Sequence, residues 1–269
     1  MHYDRCGSGE PLVLVHGVGH NRNAWSHLVP LLTPYFDVIT VDLPGHGSSA
    51  PLDLSGRTVA EAFVDEFREL VDTLGIDHPH VAGNSLGGRI ALEIAARGEA
   101  STATALSPAG FWRGAPEIAY VKSLFAGISL VARAAGPIAP IVMRSPLGAP
   151  ALKVFLESPG ELSKSDVTTM VNGFRDAQPA LRAILGQVSN FEATIPTDVP
   201  VTIAWGTNDH VLPFKQAARA KKVIPHGSHI ALKGCGHVPM SDAPELIAHL
   251  ILATAGKRPA PVRYAVQTA

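Results

Sequence analysis

The 269-residue sequence predicts an α/β protein, a mostly parallel, doubly wound sheet with an inserted helical cap. Three observations carry that expectation. Short apolar runs of strand length alternate with stretches of helical spacing, and most of these runs end at a glycine-containing loop. One long interval, residues 111–195, breaks the alternation with helical character and no clear strand.

Leu12 to Val15 is a short apolar run ending at His16-Gly17, and Val38 to Val41 is a second, ending at Asp42 and a glycine-rich stretch. Both read as buried parallel strands feeding loops. Between them, Asn23 to Leu32 spaces Trp25, Leu28, Leu31 and Leu32 as a helix does. Thr58 to Leu74 reads as an amphipathic helix, with Val59, Phe63, Phe67, Leu70, Val71 and Leu74 on one face and Gly75 at its end. His80 to Ala82 then enters a strand that stops at Gly83, Leu86 to Arg97 forms a helix, and Ala103 to Leu106 a further strand. Val201 to Trp205 and His229 to Leu232 supply the last strands, and Pro244 to Ala255 a closing helix with Leu246, Ile247, Leu250 and Ile251 inward.

The interval 111–195 contains two helical stretches, Ile118 to Ala135 and Val167 to Leu185. At about 85 residues it exceeds an ordinary connection between elements. It is therefore assigned to a helical cap inserted into a core made of residues 1–110 and 196–255, with 256–269 as a loose tail.

Composition narrows the function. Hydrophobic residues at 46% and charged residues at 17% exclude disorder. Lys and Arg number 22 against 23 Asp and Glu, a net charge of −1, so no overall field attracts nucleic acid or an anionic membrane. A small, weakly charged molecule is the expected partner. The first ten residues carry no basic patch followed by an apolar segment, and a cytoplasmic protein is expected. Cys6 and Cys235 lack metal-ligand spacing. The longest apolar stretch, Ile118 to Met143, is interrupted by Lys122 and Arg133 and broken by Gly136, Pro137 and Pro140, which argues against integral membrane association. The oligomeric state is left open.

Gly83-Asn84-Ser85-Leu86-Gly87 fits G-x-S-x-G where a strand ends and a helix begins, the context in which this short pattern carries a nucleophile. A serine hydroxyl needs a base, itself held by a carboxylate. Downstream, Trp205-Gly206-Thr207-Asn208-Asp209 follows one apolar strand and Gly234-Cys235-Gly236-His237 the next, giving the order Ser85, Asp209, His237 at the C-terminal edge of a parallel sheet. Asp198 precedes its strand and Asp242 opens the last helix, so neither is favoured as the orienting acid. Backbone N–H groups of Leu86 and Val18 are the candidate oxyanion hole. His16 sits beside a tight turn and suits a structural hydrogen bond, while His20, His46 and His210 are weaker candidates on the same rim.

Together with Asp42-Leu-Pro-Gly-His-Gly-Ser-Ser49 and Pro213, these segments resemble the α/β-hydrolase superfamily, in particular its capped bacterial serine hydrolases. The resemblance covers nearly the whole chain. It implies acyl-enzyme chemistry without metal or organic cofactor, and the serine sets the chain apart from the branches with an aspartate nucleophile. In that family a further hairpin strand usually precedes the first His-Gly strand, whereas this chain opens at His2-Tyr3-Asp4, which points to a short start or a smaller sheet. The expected reaction is hydrolysis of a carboxylic ester. Two alternatives stand beside it. The Gly-Asn-Ser-x-Gly-Gly elbow also resembles carbon–carbon bond hydrolases acting on meta-cleavage products, for which Arg175 and Arg182 are candidate carboxylate ligands, although His16-Gly-Val-Gly-His-Asn21 lacks their Gly-Pro-Gly pattern. The other is a ligand receptor that keeps the triad without turnover. The apolar excess between Ile118 and Met143 predicts an apolar substrate pocket that includes Phe125 and Leu130.

Overall fold

The computed structural model describes residues 1–135, 138–143, 145, 148–158 and 162–258. Seven strands form one sheet: β1 (His2–Gly7), β2 (Glu10–Val15), β3 (Phe36–Asp42), β4 (His80–Asn84), β5 (Thr102–Leu106), β6 (Val201–Gly206) and β7 (Ser228–Leu232). Their spatial order is β1-β3-β2-β4-β5-β6-β7, with β1 antiparallel to β3 and every other pair parallel. This is the α/β-hydrolase fold that the motifs predicted. The short opening holds a strand after all: His2 pairs with Asp42 and Gly7 with Asp37. All six residues of β1 are exposed, so no apolar alternation marked it in the sequence.

The pleat of β2 sends alternate side chains to opposite faces. Leu12 and Leu14 join a core with Trp25, Leu28, Ile247 and Ile251, whereas Val13 and Val15 join Phe63, Phe67, Ile90 and Ile94. The helices that cover these faces are α1 (Val29–Leu32), α2 (Val59–Thr73) and α3 (Leu86–Ala96). Helix α2 starts at a capping box in which Thr58 Oγ1 accepts from Glu61 N–H at 3.2 Å and Glu61 Oε2 accepts from Thr58 N–H at 2.8 Å. The helix expected over Asn23 to Leu32 is instead a 3-10 turn, Arg22–Trp25, followed by α1. Pro30 lacks the N–H a continuous ladder would need.

Between β5 and β6 the chain forms α4 (Ala115–Ala135), α5 (Ala139–Met143), α6 (Ala149–Leu152), α7 (Lys164–Asp176) and α8 (Gln178–Gly186). The second expected helical stretch is two helices because Pro179 opens α8. The segment Ala115–Ala134 within α4 is long and apolar enough to cross a membrane, with 11% of its most apolar window buried. Here Phe125 of α4 stacks on Phe174 of α7, with ring centroids 6.1 Å apart. After β6 come α9 (Ala217–Val223), α10 (Pro239–Asp242) and α11 (Pro244–Thr254). Most of the expected tail, residues 259–269, lies outside the described residues, as do Gly136 and Pro137.

Strand β2 connects to β3 on one side, and the chain then crosses to β4 on the other. The loops after β2 and β4 therefore diverge at their C-terminal ends, the switch point where open α/β sheets bind ligands.

Candidate active site

Ser85 lies at that switch point, between the end of β4 and the start of α3, with φ 56° and ψ −113°. A positive φ is costly for a residue with a Cβ. The turn holds it there: Ser85 N–H donates to Leu106 O at 2.9 Å, and Ser85 O accepts from Arg89 and Ala109 N–H, each at 3.0 Å. Gly83 and Gly87 are required by close approach. A Cβ on Gly83 would strike the Gly87 carbonyl, and one on Gly87 the Val15 carbonyl. The neighbouring Asn84 donates from Nδ2 to Leu106 O at 3.1 Å and to His237 O at 2.9 Å, which ties the elbow to the loop after β7.

His237 and Asp209 are 3% and 5% exposed, and His237 Nδ1 lies 2.8 Å from Asp209 Oδ2. A carboxylate only accepts, so Nδ1–H is the donor, and in the neutral ring this tautomer leaves the lone pair on Nε2. The other oxygen of Asp209 accepts from Val211 N–H at 2.9 Å and Leu212 N–H at 2.8 Å. Ser85 and His237 line one cavity of about 610 Å³, open to solvent, together with Gly17, Val18 and His20. Leu86 is the first residue of α3, so its N–H is one of the four that no helix carbonyl takes.

The remaining predicted residues divide between the cavity and the surface around it. Phe125 lines it. Leu130 does not line this cavity; it is 69% exposed. Five residues along a helix of 3.6 per turn turn the side chain about 140° away from Phe125. Arg175 pairs with Asp176 at 3.3 Å, Arg182 is exposed, and neither lines the cavity. His16 is fully buried; its Nε2 accepts from Leu43 N–H at 3.0 Å, and its Nδ1 contacts Gly17 O at 2.7 Å. Burial, then the neighbouring His46, pushes its pKa well below the ordinary imidazole range, which suits a neutral structural ring. His46 packs 5.2 Å from it, and burial lowers its pKa too. His210 is exposed, and its carbonyl accepts from Tyr120 Oη.

The roles of Asp242 and His20 were not found by sequence reasoning, whereas Cys235 is the inert packing residue its place beside the site suggests. Asp242 anchors the loop before His237: its Oδ2 accepts from Gly236 N–H at 2.8 Å, and its Oδ1 accepts from Glu157 and Ser158 N–H at 3.0 and 3.3 Å. Burial raises its pKa. His20 accepts at Nδ1 from Asn21 N–H at 3.0 Å, which leaves the ring proton on Nε2, and burial lowers its pKa to about 4. Cys235 is buried, and that burial, with Asp242 and Glu157 nearby, pushes its thiol up to about 12. It is therefore unreactive as a nucleophile at neutral pH. No cluster of metal-ligating side chains occurs among the described residues.

Comparison with known proteins agrees with this fold. Lipase 3 of Moraxella sp. is 29% identical over 248 residues, which span 88% of this chain and 74% of the lipase. A 2-hydroxy-6-oxononadienedioate/2-hydroxy-6-oxononatrienedioate hydrolase of Dechloromonas aromatica is 35% identical over 100 residues, 35% of this chain and 34% of that protein. A bacterial membrane phospholipase A of known structure superposes with a TM-score of 0.74 at 23% identity, over 94% of this chain and 81% of its own, and so shares the fold. Residues 12–250 match the family model as well, and on that match and this architecture the chain belongs to the alpha/beta hydrolase family.

Proposed function

We propose that the protein hydrolyses a carboxylic ester of a small, largely apolar substrate through a covalent acyl-enzyme on Ser85. The observation that carries this reading is the Asp209-oriented His237 sharing one cavity with a serine on a strained strand-to-helix turn. Ser85 Oγ attacks the carbonyl carbon while His237 Nε2 takes the hydroxyl proton. Charge on the carbonyl oxygen is met by the N–H groups of Leu86 and Val18. Collapse breaks the ester bond, and His237 returns the proton to the leaving alkoxide. Water then attacks the acyl-serine, gives its proton to His237, and releases the carboxylic acid as Ser85 is re-protonated. Residues 111–195 act as the cap that closes this cavity and selects the substrate.

The carbon–carbon hydrolase reading has less support. A dioate carries two carboxylates, and no Arg or Lys is among the described residues lining the cavity. A cavity meant for such a substrate needs a cation to offset their desolvation. The test is turnover of p-nitrophenyl esters beside a ring-cleavage dienone acid, with a fluorophosphonate probe reporting on Ser85. Ester turnover lost in Ser85→Ala supports the proposal. Preference for the dienone acid would reverse the ranking, and labelling without any turnover would favour a ligand receptor.

A further inference from the structure

The cavity at Ser85 and His237 has neighbours of opposite chemistry on two sides. It shares Met143, Val171 and Phe174 with an apolar groove of about 920 Å³ between α4, α5 and α6. The wall of that groove is built from Leu124, Gly127, Ile128 and Val131 of α4 and Val142 of α5. On its other side the cavity shares His20, Met170 and Val238 with a cleft of about 430 Å³ that is more polar than the groove, although Ala24, Leu156 and Leu162 also line it. Asn23, Ser26, His27, Asp166, Thr169 and Ser241 line that cleft, with His27 Nε2 3.5 Å from Asp166 Oδ2.

From this arrangement we infer that the substrate is an amphiphilic ester whose alkyl acyl chain lies in the α4–α5 groove and whose polar alcohol leaves through the cleft beside His27 and Asp166. The inference rests on the ester-hydrolase reading and adds the direction in which the ester is bound. That direction follows from proton transfer. The leaving oxygen takes its proton from His237, and Val238 and Ser241, just after His237, line the polar cleft. The alcohol is therefore on the cleft side. The acyl group extends the opposite way, past Phe174 and Val171, where the described residues offer a chain of methylenes apolar walls apart from Ser123. His20 stands between cavity and cleft as a neutral ring with its proton on Nε2, a donor for the alcohol portion that adds no charge.

Gly127 provides a direct test. A Cβ at this position meets no atom within 4 Å, so a large side chain enters the groove without displacing backbone, and leaving glycine favours the helix. Val131 lines the groove and is 54% exposed, so a charge is tolerated there by the fold. In the intact protein kcat/KM for p-nitrophenyl esters is expected to rise from acetate to octanoate by up to about fourfold per methylene. Octyl acetate, which moves the chain to the alcohol side, is expected to gain little over ethyl acetate. Gly127→Trp and Val131→Glu should each lower the octanoate-to-acetate ratio at least about tenfold, as expected when two or more buried methylenes are lost. Leu130→Ala, on the outer face, should leave that ratio unaltered.

A flat or falling chain-length profile, or an unchanged ratio in both groove variants while Ser85-dependent acetate hydrolysis persists, overturns the groove and leaves the ester reading intact. A stronger chain-length gain on the alcohol side overturns the direction. If no ester is cleaved, titration calorimetry with sodium dodecanoate decides the groove separately. Binding weakened by both Gly127→Trp and Val131→Glu upholds an alkyl-chain site; no binding, or binding indifferent to both, overturns it.

Discussion

His237 Nδ1 lies 2.8 Å from Asp209 Oδ2, while the second oxygen of Asp209 is occupied by the N–H groups of Val211 and Leu212. The carboxylate is thereby fixed on both sides, one oxygen by its own loop and one by the imidazole. Asp209→Asn can keep the two backbone bonds through its carbonyl oxygen, but it turns an amide N–H toward Nδ1 and stabilises the other tautomer. We expect kcat to fall about 10⁴-fold with the fold retained, measured by ester turnover beside circular dichroism. Unaltered kcat in this variant would remove Asp209 from the proposed triad.

Ser85 and His237 should fail as a unit. Ser85→Ala is expected to abolish fluorophosphonate labelling and to lower kcat by roughly 10⁴ to 10⁶. His237→Ala should be similarly damaging, and the double variant hardly worse than either, because each removes the same attacking group. Multiplying losses in the double variant would assign the two residues separate roles.

These groups were legible because each follows an apolar strand in a fixed chain order, which is a property of sequence alone. Other parts of the site were not. Strand β1 carries no buried residue and so no periodic signal. Asn84 works through His237 O, 153 residues away, and Asp242 through Glu157 and Ser158, partners that only the folded chain brings near. Leu130 fails for a related reason. Most of the helix α4 is uncovered, so its apolar residues lie all round it, and hydrophobicity alone cannot separate the face that lines a cavity from the face in solvent.

His20 gives a pH-dependent stability whose direction is fixed by its pKa of about 4 in the fold against the ordinary 6.5. Below about 6.5 the unfolded chain takes up a proton that the half-buried ring does not, so unfolding is favoured as pH falls toward about 4. Above 6.5 neither state is protonated, and this contribution to stability is complete. His16, with its pKa also lowered by burial, acts in the same direction. Urea midpoints should therefore fall between pH 7 and pH 5, and His20→Gln should flatten that slope. An equal slope in the variant would show that His20 titrates alike in both states.

Asp242 separates a positioning role from a catalytic one. Its three accepted N–H groups join Gly236, next to His237, to the segment that links α6 and α7. Glu157 and Ser158 are exposed, and water can replace their bonds to Asp242, whereas Gly236 is buried. Asp242→Ala should then cost about 1–3 kcal/mol of stability, mostly from the Gly236 N–H left without its acceptor. At about 2–4 °C per kcal/mol for a protein of this size, the Tm shift is easily measured. Freed from this anchor, the loop holds His237 less accurately, and a misplacement on the order of 1 Å costs up to about 100-fold in rate. The expected loss of kcat is thus roughly tenfold to 100-fold, well short of that for Asp209→Asn, and the decisive readout is the pH profile. A residue that only positions the ring should lower the kcat plateau without altering the shape of the profile. If Asp242→Ala instead abolishes activity while Asp209→Asn leaves it intact, then Asp242 is the acid that orients His237.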